Sequence, residues 1–375
     1  MSKLPTVRTS IFSVMSKLAV EHSAINLSQG FPNFPIDPVL KNMLKECIDS
    51  EVHQYPPMAG NLELLEQISR LIELNYARKI SPATDVLVTA GATQAIFTAI
   101  QAFVNHGDEA VVFDPCYDCY NPAIILAGGK PIHISLNHDY LPDWELIERT
   151  VTFQTKLLII NNPHNPSGKI WAKADFESLE CLLEKFPQLI IISDEVYEYI
   201  TFEQKHISVN SIPTIADRSI IISSFGKTFH ITGWKVGYMV APAKFMNELK
   251  MVHQYMVFSV NSVAQAAIAK YLSIVDVQLL GAFYQKKRNL FVELMKKSNF
   301  QMLPSEGTYF QLADYSKVSE LSDLEFTKEL VVKHGVAAIP VSVFSKEPKN
   351  VQHIRFCFAK TDETLINAAA ILCKI

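Results

Sequence analysis

Between residues 86 and 242, short unbroken apolar runs alternate with longer stretches of helical period. The runs are VLV (86–88), AVVF (110–113), LLII (157–160), LIII (189–192) and III (220–222). A strand that is apolar at consecutive positions buries both faces, so the pattern predicts a mainly parallel sheet covered by helices on each side. Ile96, Ala99, Ile100 and Phe103 fall at helical spacing, with Gly107 beyond them, and predict a helix over 92–104. From about residue 290 the style changes, and HIRFCFA (353–359) reads as a strand of a smaller α+β unit. The expected division is an N-terminal arm with part of the small domain over 1–41, a large domain over 42–289 and a small domain over 290–375.

Polar residues cluster just after the apolar runs. They are Gly91-Ala92-Thr93, Asp114-Pro115, Asn161-Asn162-Pro163-His164-Asn165, Asp194 and Ser223-Ser224. In a parallel α/β sheet these positions are the carboxyl ends of strands, where ligands bind. Five polar termini on one edge predict one site.

Composition narrows the classes of partner. The 375 residues carry a formal net charge of -4 with no basic stripe, which gives no electrostatic reason to expect nucleic acid or an anionic membrane. No apolar run reaches the roughly 18 residues of a membrane span, and the N-terminus lacks a signal-peptide core. Six cysteines in a chain of this length need not form a disulfide framework, and a cytoplasmic protein is expected.

Three motifs compete for the chemistry. Gly226-Lys227-Thr228 resembles the end of a phosphate-binding P-loop, but Ile221 stands where that loop needs its first glycine. No G-x-G-x-x-G follows a strand, which weakens a dinucleotide reading. Cys116-Tyr117-Asp118-Cys119 has redox spacing, yet a bare C-x-x-C in a loop is a weak signal.

Individually, the remaining candidates have ordinary explanations. Asp194 could cap the following helix, the prolines and Gly168 of NNPHNPSG could fix a turn, Lys227 could be solvated, and Arg355 could face outward from a half-buried strand. Together, a lysine, an aspartate, an asparagine, a tyrosine, a helix start suited to phosphate and a distant arginine make a set for binding pyridoxal phosphate.

That set resembles the pyridoxal-phosphate-dependent aminotransferases of class I/II, in the aspartate aminotransferase superfamily. SSFGKTFHITGWKVGY carries the S-x-x-K-x-x-x-x-x-G-[WR]-[KR]-x-G lysine signature, NNPHNPSG the asparagine loop and SDEVY the D-x-x-Y element. NLSQGFPNF, QYPPMAG and HIRFCFAK are similar to the kynurenine/glutamine-type branch and, within it, to bacterial methionine aminotransferases. The resemblance covers almost the whole chain. It implies fold type I, with a mainly parallel seven-stranded sheet in the large domain and a smaller α+β domain. It implies pyridoxal 5'-phosphate as cofactor and calls for no metal.

Residue roles follow from the resemblance. Lys227 would bond the cofactor aldehyde and later carry the proton between the substrate α-carbon and the cofactor. Asp194 would face the pyridine nitrogen, while Asn165 and Tyr197 would bond the phenolic oxygen. Tyr117 would stack on the ring. Ala92 and Thr93 would offer amides to the phosphate, completed by Ser224 and by Lys235, where relatives often have arginine. Arg355 would bind the substrate carboxylate with help from Asn165 and Gly30. Tyr55 would reach the phosphate from a neighbouring subunit, making a homodimer with composite sites.

For the substrate side chain, Phe12 and Phe258 match wall positions, Phe258 from across the dimer, and Tyr309 is a further candidate with core packing as its equal alternative. An aromatic, uncharged pocket favours methionine, phenylalanine, tyrosine, leucine, glutamine or kynurenine over aspartate. The expected reaction moves the amino group from such an amino acid to a 2-oxo acid by a ping-pong course. β-Elimination from cysteine conjugates on the same cofactor is an alternative, and a non-enzymatic cofactor-sensing module a remote one.

Overall fold

The computed structural model describes residues 3–5, 7, 9–347 and 351–375. Its large sheet has seven strands in the order Val86–Thr89, Gly237–Val240, Ser219–Ser224, Ile190–Asp194, Thr155–Asn161, Glu109–Asp114 and Lys130–Ser135. All neighbours run parallel except Gly237–Val240, which is antiparallel to both of its partners. The apolar runs divide their side chains strictly by parity. Val86, Val88, Leu158, Ile160, Ile191 and Ile221 enter one core, whereas Leu87, Leu157, Ile159, Ile190, Ile192, Ile220 and Ile222 enter the opposite one. This two-sided burial is why the strands need no polar alternation.

Helix ends are marked by local chemistry. Asn61 and Asn261 accept from the amides of Leu64 and Ala264, and Ser322 forms a reciprocal capping box with Glu325. The helix Ala92–Phe103 instead starts from Gly91, whose φ of +79° and lack of a side chain leave the first helical amides uncovered.

The second unit is a four-stranded antiparallel sheet in the order Ile339–Pro340, His353–Cys357, Phe310–Asp314 and Gln301–Met302. The N-terminal segment belongs to it. Ile25–Asn26 pairs in parallel with Val336–Ala337, and the helix Ile11–Glu21 seats Met15 and Ala19 against Val331, Ala337, Ile339 and Phe344. The helix Leu279–Met295 runs through the expected division at 289/290, so the large-to-small passage is made within one continuous helix. Its Tyr284, Phe291 and Met295 pack into the core of the small unit.

The two units are joined beside Asn165. The Gly168 carbonyl accepts from the amides of Glu306 (2.9 Å) and Gly307 (2.8 Å), and Glu306 bonds the Ile170 amide and the Lys169 ammonium (3.0 Å each). Gly168 has φ +74°, and a Cβ there would lie 2.5 Å from Ser305 Oγ and 2.8 Å from the Gly307 carbonyl. Gly168→Ala is therefore expected to cost at least about 1–3 kcal/mol, read as a lowered urea midpoint; an unchanged midpoint would show that this junction relaxes freely.

Candidate active site

The carboxyl ends of the strands open into a cavity of about 400 Å³ between the two units. Its lining includes Gly91, Ala92, Thr93, Tyr117, Asn161, Asn165, Asp194, Tyr197, Ser224, Lys227, Lys235 and Arg355, with Phe12 and Gly30 from the N-terminal segment. Four of the five polar strand ends thus meet. The fifth does not: Asp114 accepts from His133 Nδ1 (2.9 Å) and from the Lys346 amide (2.8 Å), and serves packing instead.

Asp194 ends the central strand Ile190–Asp194 and is 3% exposed. Tyr120 Oη donates to its Oδ2 (2.6 Å), and the Val196 amide to its Oδ1 (3.4 Å). Burial pushes the carboxyl up to about 6 despite these donors, so the carboxylate calls for a cation on its open side. Asn161 positions both neighbours. Its Nδ2 donates to the Asp194 carbonyl (2.9 Å), and its Oδ1 accepts from the Asn165 amide (2.8 Å).

Lys227 lies in the single helical turn Phe225–Thr228 after the strand Ser219–Ser224. Its ammonium donates to the Gly30 carbonyl (3.1 Å) and sits 5.8 and 5.7 Å from the ring centres of Tyr197 and Tyr309. Burial, aided by the charge of Arg355, brings it down from 10.5 to about 8, a value at which an appreciable fraction is free amine near neutrality. Tyr197 is buried and its hydroxyl is pushed up for the same reason.

Arg355 is fully buried in the middle of the small sheet, not turned outward. Nη1 donates to Asn165 Oδ1 (2.8 Å) and Nη2 to the Ser28 carbonyl (3.1 Å), while Nε has no partner. The guanidinium lies over the Phe310 ring at 3.8 Å, with Phe12 at 5.2 Å and Phe344 at 5.5 Å. A buried cation that lies against aromatic rings and forms no ion pair among the described residues suits an anionic ligand group.

At the far end, Ser224 and Lys235 flank the start of the helix Ala92–Phe103. A Cβ on Gly91 would meet Lys235 Nζ at 3.2 Å, and one on Gly237 would meet the Ser223 carbonyl at 2.7 Å and the Ala92 amide at 3.2 Å. Glycine at both positions keeps a small cradle open between helix dipole and ammonium, as a phosphate requires. Tyr117 bounds the same region, its hydroxyl 3.3 Å from Thr93 Oγ1. A phosphate cradle, a carboxylate that wants a cation, a flanking aromatic face and a depressed lysine fit pyridoxal phosphate in its three recognisable parts.

Tyr55 and Phe258 lie outside the cavity of their own chain. They are 81% and 47% exposed and meet each other edge-on at 5.4 Å. Tyr309 is fully buried among Tyr197, Tyr284 and Phe310, and its hydroxyl holds the Gly30 carbonyl (2.6 Å). Cys116 and Cys119 are both free, and burial pushes both thiols well up, away from the thiolate that redox chemistry needs.

Sequence reasoning missed Tyr120, Phe31 and Phe310, and it placed Asn161 at the site without its positioning role. Tyr120 was accessible in principle, since it stands three positions after Tyr117 at the start of the helix Tyr120–Leu126. Phe310 and Phe31 carry no pattern that separates a cavity wall from a core residue.

The family model for aminotransferase class I and II matches residues 22–372, and the chain belongs to that family. Its members are pyridoxal-phosphate-dependent enzymes that exchange amino groups between amino acids and 2-oxo acids. Among individual proteins, the chain is 46% identical over 372 residues to the methionine aminotransferase of Escherichia coli, covering 98% of this chain and 96% of that protein. It is 33% identical to human kynurenine–oxoglutarate transaminase 1, covering 93% and 92%. The solved structure of an Escherichia coli methionine aminotransferase superposes with a TM-score of 0.98 at 45% identity, over 100% of this chain and 99% of that one. No helix among the described residues is long and apolar enough to cross a membrane.

Two outcomes follow from the geometry. In the cofactor-free protein, Lys227 should be modified by a small amine-directed reagent with half-maximal rate near pH 8, because it is protonated below that value and a free amine above it; mass spectrometry placing the midpoint near 10.5 would contradict the depressed amine. Tyr120→Phe removes a hydrogen bond to a charged group, so affinity for pyridoxal phosphate should fall about 10-fold or more. The loss should be greater below pH 7, because the Asp194 carboxyl then takes up its proton more readily; equal affinity in both proteins refutes the role of Tyr120.

Proposed function

We propose that this aminotransferase takes the amino group from an apolar or aromatic L-amino acid, methionine foremost, and passes it to a 2-oxo acid. The reading is carried by the distribution of charge in the cavity. Among the described residues its lining cations are Lys227, Lys235 and Arg355, and each has a task in this reading. A second substrate carboxylate, such as that of aspartate, would be desolvated with no further lining cation among the described residues to meet it. Phe12, Phe31 and Phe310 leave the side-chain end apolar. The names of the relatives, a methionine aminotransferase and a kynurenine transaminase, agree with such a pocket.

Pyridoxal phosphate, when bound, supplies an electron sink for the charge left on the substrate α-carbon. This chain's residues do the rest. Ala92, Thr93, Ser224 and Lys235 would hold the phosphate, and Asp194 would keep the ring nitrogen protonated. Asn165 and Tyr197 would bond the phenolic oxygen, and Tyr117 would pack against the ring. Arg355 binds the substrate carboxylate by its fork, which fixes the α-carbon beside Lys227. Lys227 Nζ takes the α-proton and returns it, a task suited to an amine with a pKa of about 8.

The exposed pair Tyr55 and Phe258 supports a homodimer in which each subunit lends aromatic groups to its partner's site, Tyr55 toward the phosphate and Phe258 toward the substrate. Six cysteines without a disulfide agree with a cytoplasmic location.

Methionine added to the holoprotein without any oxo acid should convert its visible absorption band to the shorter-wavelength band of the aminated cofactor; a band that methionine leaves unchanged while aspartate converts it would overturn the substrate reading. Lys227→Ala should lose multiple turnover altogether. Arg355→Lys, which gives up the fork, should raise KM for methionine about 10–100-fold, and an unchanged KM would remove Arg355 from the carboxylate site. An active monomer in sedimentation would refute the composite site.

A further inference from the structure

The segment 27–31 crosses the mouth of the cavity with every carbonyl held by a donor from elsewhere in the chain. Leu27 O accepts from the Cys357 amide (2.8 Å) and Ser28 O from Arg355 Nη2 (3.1 Å). Gly30 O accepts from Lys227 Nζ (3.1 Å) and Tyr309 Oη (2.6 Å). Gln29 O (3.4 Å) and Phe31 O (2.7 Å) both accept from Lys360 Nζ. Gln29 also donates through Nε2 to the Phe12 carbonyl, so the strap carries the N-terminal helix with it.

Two of these donors have work that takes them off the strap. In the proposed reaction Lys227 would serve the cofactor instead of the Gly30 carbonyl, and Arg355 would serve a substrate carboxylate. Lys360 has no such task. It is 3% exposed, it forms no ion pair among the described residues, and its ammonium lies 5.1 Å from the Phe31 ring centre. A nearly buried ammonium is costly unless its donors are met, and here the backbone carbonyls of Gln29 and Phe31, two positions apart, accept from it. Phe31, half-exposed at 45%, is thereby fixed as a wall of the cavity.

Resting on the substrate reading above, we infer that Lys360 is a positioning residue that holds the strap through turnover, and that Phe31, so held, sets the preference for long apolar side chains. Lys360 touches neither the reacting atoms nor the cofactor site. Its effect is transmitted through the Phe31 backbone. Alanine has no side chain that extends to Phe31, so the contribution of this wall is read in the ratio of methionine to alanine.

The experiment compares the native holoprotein with Lys360→Met, Lys360→Arg, Phe31→Ala and the double variant Phe31→Ala/Lys360→Met. Hydrogen exchange of the peptide 27–33 is measured first, and then kcat and KM for methionine and alanine. Lys360→Met should speed exchange in the strap and lower the methionine-to-alanine ratio of kcat/KM about 10-fold, through KM more than through kcat. Lys360→Arg, which keeps a cationic donor, should restore most of both. Phe31→Ala should lower the same ratio, and the double variant should lower it no further than Phe31→Ala alone. Unaltered exchange in Lys360→Met overturns the proposal. So does faster exchange with an unaltered ratio, or an equal loss for methionine and alanine. Should Lys360→Met fail to fold, Phe31→Ala with a native ratio overturns it by itself. If the native protein acts on no apolar amino acid, the substrate reading fails, and the exchange arm still decides whether Lys360 holds the strap.

Discussion

A guanidinium with no exposed surface sits in the middle of the small sheet, and the site is arranged around satisfying it. Arg355 finds Asn165 from the large unit and Ser28 from the N-terminal segment, and keeps one nitrogen unpaired. Leaving a buried cation without partners is strongly unfavourable, so this one charge draws three distant stretches of chain to one point. Phe310, its ring centre 3.8 Å from the guanidinium carbon, supplies cation–π attraction without consuming the donors that a ligand would use.

The large sheet contributes direction. Its carboxyl ends deliver Asp194, Ser224 and the loop after Asn161 to one edge, and Gly91 opens a helix start onto the same place. Behind them, buried Glu198 accepts from Ser223 (2.7 Å) and Tyr238 (3.2 Å), binding neighbouring strands together next to the lysine turn. Depressed Lys227 and elevated Asp194 then share a cause. Burial disfavours the charged form of both, and each is eased by a partner of opposite sign.

Much of this was legible in the chain. Unbroken apolar runs fixed the strands because the middle of a strand buried on two faces has water on neither side. The pattern that includes Ser224, Lys227, Lys235 and Gly237 marked the lysine turn through its resemblance to the class I/II aminotransferases. Arg355 could not be read alone, since an arginine in an apolar strand looks the same whether it faces water or a cavity. Asp114 misled for the complementary reason: it stands at a strand end like the others, but His133 on the adjacent strand and the Lys346 amide take its carboxylate.

The sequence by itself determined the main strands and the parallel core, because these depend on local periodicity, while the resemblance of its motifs is what singled out Lys227. Only the tertiary structure decided that Tyr120 supports Asp194, that Asn161 orients two neighbours, and that Lys360 meets the carbonyls of a strap more than three hundred residues earlier. Contacts between side chains and backbone groups far apart in sequence leave no periodic trace. They arise when packing closes the cavity and every buried donor must find an acceptor.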